Sequence, residues 1–396
     1  MRNYKVAIII PTLNEERFIE NCLTSVMKQT FPFEEMDVMV VDGGSKDKTR
    51  EIVQRISEQH PNVRLIDNPG RIQSIAFNIG VNNSDAPYIV RLDAHATYNK
   101  VYIEKCLEIF SVKAHVLGCS PELLGNVGGV WNIRPQHSGV IAETSAILNQ
   151  VKFGIGGAAF RVGAKAGFVD TVPFGCFPRR VIEEIGGMRE DLARGEDNEY
   201  NSRIHKAGYK VYLNPEVVCT YFSRDTIRAN MKQMYANGVS IGKLLYIDRA
   251  SVGIRHLVPL TFVLSLIGSF IGGCFYQPLF LLLALIMVLY AIAATAATIS
   301  ACSKYGWKYC LTLPLMFFLV HVSYGWGTII GILKTTGLLA VENSILHVFF
   351  AWGIPFGIVY FYSLMKMFLR FKPYVGSSLL VVFLIAQVQH RTAIFW

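Results

Sequence analysis

Charge is nearly absent from the end of this 396-residue chain. Residues 257–396 carry 7 of its 38 Lys and Arg and 1 of its 29 Asp and Glu. An ordinary water-soluble domain is excluded there, because soluble domains are about one quarter charged. Paired cysteines are lacking too. The eight Cys, at 22, 106, 119, 176, 219, 274, 302 and 310, include no C-x-x-C pair and no Cys/His cluster with zinc spacing. That excludes a disulfide scaffold and fits buried thiols in a reducing compartment. A secretory leader is not in evidence: Met1–Lys5 is followed by only five apolar residues before Pro11, too short for a signal core. The front half is therefore expected in the cytosol. Nor does the soluble part hold a basic stripe with interleaved aromatics, so no nucleic-acid partner is expected.

What is present divides near residue 256. The chain as a whole is 52% apolar with net charge +9 and a pI of about 9.1. Two thirds of the positive excess lies in the uncharged half, which points to a membrane surface as partner. Residues 257–276, 279–301 and 309–333 contain no Asp, Glu, Lys or Arg, and each is long enough to cross a hydrocarbon core of ~30 Å. Residues 345–365 form a fourth candidate span, and 379–388 are short enough to be interfacial. Basic residues fall in alternate loops (Lys243, Arg249 and Arg255; Lys304 and Lys308; Lys366, Arg370 and Lys372), as a cytosolic front domain requires. His321 stands alone in the third span and reads as a packing residue.

The front half alternates strand and helix patterns. Val6–Ile10, Asp37–Val41, Val63–Ile66 and Tyr88–Leu92 are short apolar strands, with helices expected over 15–29, 47–58 and 71–82. Such a β-α-β series implies a mostly parallel sheet with helices on both faces. Ligands then bind beyond the carboxyl ends of the strands, where Asn14-Glu15, Asp42, Asp67-Asn68 and Asp93 fall. Further on, Gly125–Val130, Gly154–Ala159 and Phe174–Phe177 read as strands or loops. Arg179–Glu184 and Glu196–Ala207 read as helices, and Gly208–Leu213 as a strand.

Four segments carry chemistry. Asp42 ends a strand before a Gly43-Gly44 turn, placed to accept hydrogen bonds from a ribose or base; Asp47 reads as a helix cap. Asp93 and His95, one residue apart, put two divalent-cation ligands on one side of an extended segment, although Asp-x-His alone is a weak signature. Glu196-Asp197 opens a helix, where one carboxylate could be a general base and both also suit the helix dipole. Arg71, in the turn Asn68–Arg71, is a cation beside the expected cleft.

In order and spacing these segments resemble the family 2 inverting glycosyltransferases of the GT-A fold. The matching pieces are Pro11-Thr12-Leu13-Asn14-Glu15-Glu16, Asp42–Thr49, Arg91–His95 in place of the family's D-x-D, and Glu196-Asp197 as its E-D pair. The resemblance covers about residues 5–225. With the apolar segments, the chain looks most like the membrane-anchored glucosyltransferases of succinoglycan-type exopolysaccharide synthesis. It implies an α/β fold class: a Rossmann-like, mostly parallel GT-A domain (1–235), a juxtamembrane connector (236–256) and a transmembrane helical region of three to four spans (257–396). It further implies that Thr12, Glu15, Asp42 and Arg71 line the site of a UDP-sugar. Asp93, with His95, would hold Mg²⁺ or Mn²⁺ on the diphosphate, Asp197 would be the base, and Glu196 would orient base or acceptor. The expected reaction adds one sugar to a polyprenyl-diphosphate-linked acceptor at the cytoplasmic membrane, in exopolysaccharide or capsule synthesis.

Two departures stand out: His95 occupies the third D-x-D position, and the Q-x-x-R-W of processive synthases has only Gln233–Asn237 as its nearest segment. A polyprenyl-phosphate sugar synthase and a non-catalytic scaffold that binds nucleotide sugar remain alternatives. The enzyme readings require Asp42, Asp93 and Asp197 to meet around one hollow.

Overall fold

The computed structural model describes residues 4–113, 117–163 and 165–338. The candidate span 345–365 and the segment 379–388 lie outside them. The elements run β1 (Val6–Thr12), α1 (Ile19–Met27), β2 (Met36–Asp42), α2 (Thr49–Gln59), β3 (Val63–Asp67), α3 (Gln73–Asn82), β4 (Tyr88–Arg91), β5 (Ala96–Tyr98) and α4 (Tyr102–Ile109). They continue with β6 (Leu124–Arg134), α5 (Val140–Gln150), α6 (Lys152–Ile155), β7 (Gly167–Val169), β8 (Cys176–Pro178), α7 (Arg179–Ile185), α8 (Glu196–Lys206) and β9 (Lys210–Phe222). The last described helices are α9 (Ile227–Ile247), α10 (Val258–Phe275), α11 (Pro278–Tyr305) and α12 (Thr312–Thr335).

One nine-stranded sheet runs β3-β2-β1-β4-β8-β6-β9-β5, with β7 on β9. Strands β3, β2, β1 and β4 are parallel, as the apolar runs predicted. Beyond β4 the sheet turns mixed: β8 is antiparallel to β4 and β6, β5 and β7 are antiparallel to β9, and β6 and β9 are parallel. Alternation along β1 feeds two cores. Val6, Ile8 and Ile10 pack with α1 and α4, while Ala7 and Ile9 pack with Phe77 of α3 and Tyr200 of α8. This is the period-2 geometry of a strand covered on both faces.

Gly154–Ala159, read as strand or loop, instead begins inside α6 and continues as loop. Its burial against the apolar helices, not its own pattern, decides that. Strand β9 runs to Phe222, well past the predicted Leu213, because β6 pairs with it again beyond a bulge and β5 pairs with its last residues, Cys219–Tyr221.

Strand order reverses between β1 and β4: from β1 the chain builds outward through β2 and β3, then returns on the other side. That reversal opens a crevice at the carboxyl ends of β1 and β4. Register places Thr12 beside Asp42, Asp42 beside Asp67, and Ile9 beside Arg91.

Three helices, over Ile254–Phe275, Pro278–Tyr305 and Thr312–Thr335, are long and apolar enough to cross a membrane. They differ in surroundings. The most apolar stretch of α12 is 61% buried within the protein, against 17% and 6% for the other two. Helix α12 packs on α9 through glycine. A Cβ on Gly238 or Gly242 of α9 would lie 2.1 and 2.4 Å from the Tyr324 and Thr328 carbonyls. One on Gly327 or Gly331 of α12 would lie 2.2 Å from the Tyr235 and Val239 carbonyls. Two G-x-x-x-G stretches thus face each other backbone to backbone. Helix α9 runs unbroken through residues 235 and 236, the expected boundary between front domain and connector.

Candidate active site

The crevice is organised by Arg91, the last residue of β4. Its side chain is 3% exposed. Nη1 donates to Asp197 Oδ1 at 2.6 Å, and Nη2 to Asp93 Oδ1 at 3.0 Å and Gln73 Oε1 at 2.6 Å. Glu196 Oε1 lies 3.6 Å from Nη2. Three carboxylates from two distant segments thus surround one planar fork, whose fixed geometry sets their spacing. Buried carboxylates of like charge need such a partner. Burial opposes the charge on Arg91, but Asp197, Asp93 and Glu196 outweigh it and raise its pKa.

Asp197 and Glu196 open α8. The preceding Gly195 has φ +77° and packs so closely on α9 that a Cβ would lie 2.5 Å from Ser240 Oγ; Ser240 also donates to the Arg194 carbonyl at 2.6 Å. Only glycine meets both demands. The Asp197 side chain is 40% exposed, and Oδ2 has no hydrogen-bond partner among the described residues. Glu196 is buried; burial, then the neighbouring Asp197 charge, push its carboxyl up to about 7.

His95 lies between Glu15 and Asp93. Its Nδ1 is 3.1 Å from Glu15 Oε1 and its Nε2 is 3.8 Å from Asp93 Oδ2. Burial would lower its pKa, but the hydrogen bond to Glu15 and the Asp93 charge raise it. Of the three remaining predicted binding residues, Asp42 ends β2 and Arg71 lies in the turn after β3. Asp42 is buried and accepts from the Gly44 and Ser45 amides at 3.0 Å, from Ser45 Oγ, and from Arg50 Nη1 at 2.8 Å. Burial works against its ionisation; those hydrogen bonds prevail and hold it below the usual carboxylate range. Arg50 bridges on to Asp67 at 2.8 Å. Arg71 lies over the Gly43-Gly44 turn: a Cβ on Gly44 would be 3.9 Å from its Nη2. Thr12 is buried and turns its hydroxyl to the Ile10 carbonyl.

Asp93, His95, Glu15, Glu196 and Asp197 are therefore brought together. Asp42 and Arg71 lie along the same edge, and Thr12 presents no free hydroxyl. Asp47, read as a cap, accepts from the Thr49 and Glu16 amides and ties the β1 loop to α2. Arg91 and Gln73 carry no expectation from the sequence. The signal for Arg91 was visible: an arginine inside an otherwise apolar strand needs acidic partners.

Among the described residues no three acidic, His or Cys side chains converge as a metal cluster. The donor set fits a two-ligand site nonetheless. With Nδ1 donating to Glu15, a neutral His95 would turn an Nε2 lone pair toward Asp93 Oδ2, an arrangement common behind metal-ligating histidines. Mg²⁺ in particular takes few protein ligands and completes its shell with water and substrate phosphates.

Comparison with known proteins settles the family. The family model Glycosyl transferase family 2 matches residues 7–164, and Glycosyl transferase family group 2 matches 173–322. The chain belongs to the family 2 glycosyltransferases. It is 28% identical, over 83% of its length and 97% of the relative's, to the dolichyl N-acetyl-alpha-D-glucosaminyl phosphate 3-beta-D-2,3-diacetamido-2,3-dideoxy-beta-D-glucuronosyltransferase of Methanococcus voltae. It is 29% identical to the succinoglycan biosynthesis protein ExoA of Rhizobium meliloti, over 64% of the chain and 74% of that protein. The mannosyltransferase PcManGT of Pyrobaculum calidifontis, solved with GDP-Man and Mn²⁺, superimposes with a TM-score of 0.52 at 19% identity. That match covers 81% of this chain and 87% of that one. The front domain of this glycosyltransferase therefore has the GT-A fold.

Proposed function

We propose that this glycosyltransferase moves a single sugar, with inversion, from a UDP-sugar to a lipid-linked saccharide at the cytoplasmic face of a membrane. The single observation that carries the reading is the Arg91 fork, which holds Asp93 and Asp197 on opposite arms at the mouth of the crevice. A sugar nucleotide needs its diphosphate at one of these and an acceptor hydroxyl at the other.

Asp42 and Arg71 would receive the nucleotide at the tips of β2 and β3. Asp197 Oδ2 takes the proton from the acceptor hydroxyl as that oxygen bonds to the anomeric carbon and the bond to the diphosphate oxygen breaks. Arg91 holds Oδ1, so the base is aimed by a buried fork. Asp93 and His95 would hold Mg²⁺ or Mn²⁺, which when bound neutralises charge on the leaving diphosphate. Displacement from the far side inverts the centre, giving a β-linkage from an α-linked donor. The Methanococcus relative's name places a sugar already joined to dolichyl phosphate as its acceptor, which supports a lipid-linked saccharide here. Gln233–Asn237, the segment nearest to a processive motif, lacks its Arg and Trp, which supports single addition.

Purified full-length protein with a panel of UDP-sugars, Mn²⁺ and polyprenyl-diphosphate-linked sugars tests this. Sugar should appear in the lipid fraction as one added unit. No transfer from any donor across the panel overturns it, and an Asp197→Asn variant with near-full activity would favour a phosphate acceptor instead.

A further inference from the structure

A second polar corner lies away from the carboxylates. Arg161 follows α6 and, among the described residues, has no acidic partner. Its Nη1 donates to Asn149 Oδ1 at 2.7 Å, and its guanidinium carbon sits 4.4 Å over the Trp131 ring. Burial pushes its pKa down to about 10; the nearby Arg255 acts in the same direction, while Tyr221 and Tyr324 oppose it. Arg255 is paired with Asp170 at 2.6 Å. His256, next along, is hydrogen-bonded through Nδ1 to Tyr324 Oη at 2.7 Å. The indole Nε1 of Trp131 is buried with no hydrogen-bond partner. The corner therefore holds two guanidiniums and one carboxylate, which is already engaged, with an orphan donor on the ring beneath Arg161. Such surroundings suit an anion.

Two features say which anion. Arg255, whose side chain is 30% exposed, and His256 immediately precede α10, whose outer face is bare apolar surface, so the corner lies where that apolar surface begins. An aromatic row also leads from it to the crevice. Trp131 stacks on Tyr221 at 4.2 Å, and Tyr221 lies 6.3 Å from the His95 ring. The donor's phosphates belong at the other end of that row, beside Asp93.

Resting on the lipid-linked acceptor proposed above, we infer that Arg161 and Arg255 bind the phosphate of that lipid carrier, which fixes the acceptor sugar's reach toward Asp197. A lipid-borne phosphate and free pyrophosphate share this chemistry, and the test separates them. Thermal unfolding of the full chain in detergent is followed with a polyprenyl diphosphate, the matching prenol, inorganic pyrophosphate, or UDP with Mn²⁺. The polyprenyl diphosphate should stabilise the wild type, the prenol and pyrophosphate much less. Arg161→Met should need at least ~tenfold more of it for the same shift. Arg161→Lys, which keeps the charge, should fall between. A normal UDP shift in Arg161→Met serves as the folding control, and Arg255→Met as a second variant if that control fails. Equal stabilisation of wild type and variants, or prenol or pyrophosphate matching the lipid diphosphate, overturns the inference. A wild type stabilised by UDP but not by the lipid diphosphate loses only this corner; one indifferent to UDP loses the UDP-sugar donor proposed above.

Discussion

Arg91 and the three carboxylates around it concentrate the residue-scale consequences. Replacing Arg91 by Met leaves Asp93, Asp197 and Glu196 buried or half-buried without a counter-charge, a loss of about 3–5 kcal/mol by comparison with other broken buried pairs. Its melting temperature should fall well below that of the wild type, and transfer should be lost with it. Asp197→Asn keeps the Arg91 contact geometry but removes the proposed base. Its kcat should drop by ~10²–10⁴ while the KM for the donor holds, read from initial rates. Glu196 gives a pH signature. Its folded pKa, about 7, lies above the ordinary 4.5, so protonated Glu196 stabilises the fold fully below pH 4.5. That contribution fades as the pH climbs to about 7. Between pH 5 and pH 8, Glu196→Gln should lose less melting temperature than the wild type; parallel curves would show Glu196 already ionised at pH 5.

At the scale of elements, α9 joins the chemistry to the apolar helices. On one side it takes the start of α8 through Gly195, Ser240 and an Arg194–Asn237 hydrogen bond of 3.1 Å. On the other, its Gly238 and Gly242 meet Gly327 and Gly331 of α12. A Gly331→Val change forces the two helices apart by side-chain volume against the Val239 carbonyl. We expect a loss of ~3 kcal/mol or more, seen as a lower melting temperature in detergent. Asp197 should also be displaced, so kcat should fall although no catalytic group is touched. Neither glycine pair stood out in the sequence, since a G-x-x-x-G stretch does not name its partner. The first four strands were legible because each is a short apolar run ending in a polar tip. Strands β5 and β7, three residues each, exist only because β9 is there to pair with them.

Across the whole molecule, the apolar helices are unequal. Helices α10 and α11 leave Phe270, Ile271, Leu281, Leu285, Leu289 and Ile292 exposed, a surface water would not tolerate at this extent. Helix α12 is largely enclosed. Tyr324, at its middle, hydrogen-bonds His256 at the head of α10. His321 is held between Tyr290 at 2.8 Å and the Gly154 carbonyl at 2.9 Å, the contacts of a packing residue. Lys308, in the loop between α11 and α12, pairs with Glu143 of α5 at 2.6 Å, which keeps that loop against the front domain. Membranes bearing the full chain should therefore retain it through high salt and alkaline carbonate, conditions that release proteins held by charge alone. Its appearance in the supernatant would contradict a hydrophobic anchor. Chelation of divalent metal should stop transfer without releasing the protein, a separation measurable in one fractionation.

The sequence by itself determined the apolar helices, the parallel half of the sheet and the strand tips where Asp42 and Asp93 fall. Those features are local: strand period, helix length, absence of charge and the order of short motifs are all written within a few residues. Only the tertiary structure decided that Arg91 gathers the carboxylates, that Glu15 turns to His95, and that Arg161 meets no acid among the described residues. Each depends on which distant segments are pressed together, and burial then sets how strongly a charge must be answered.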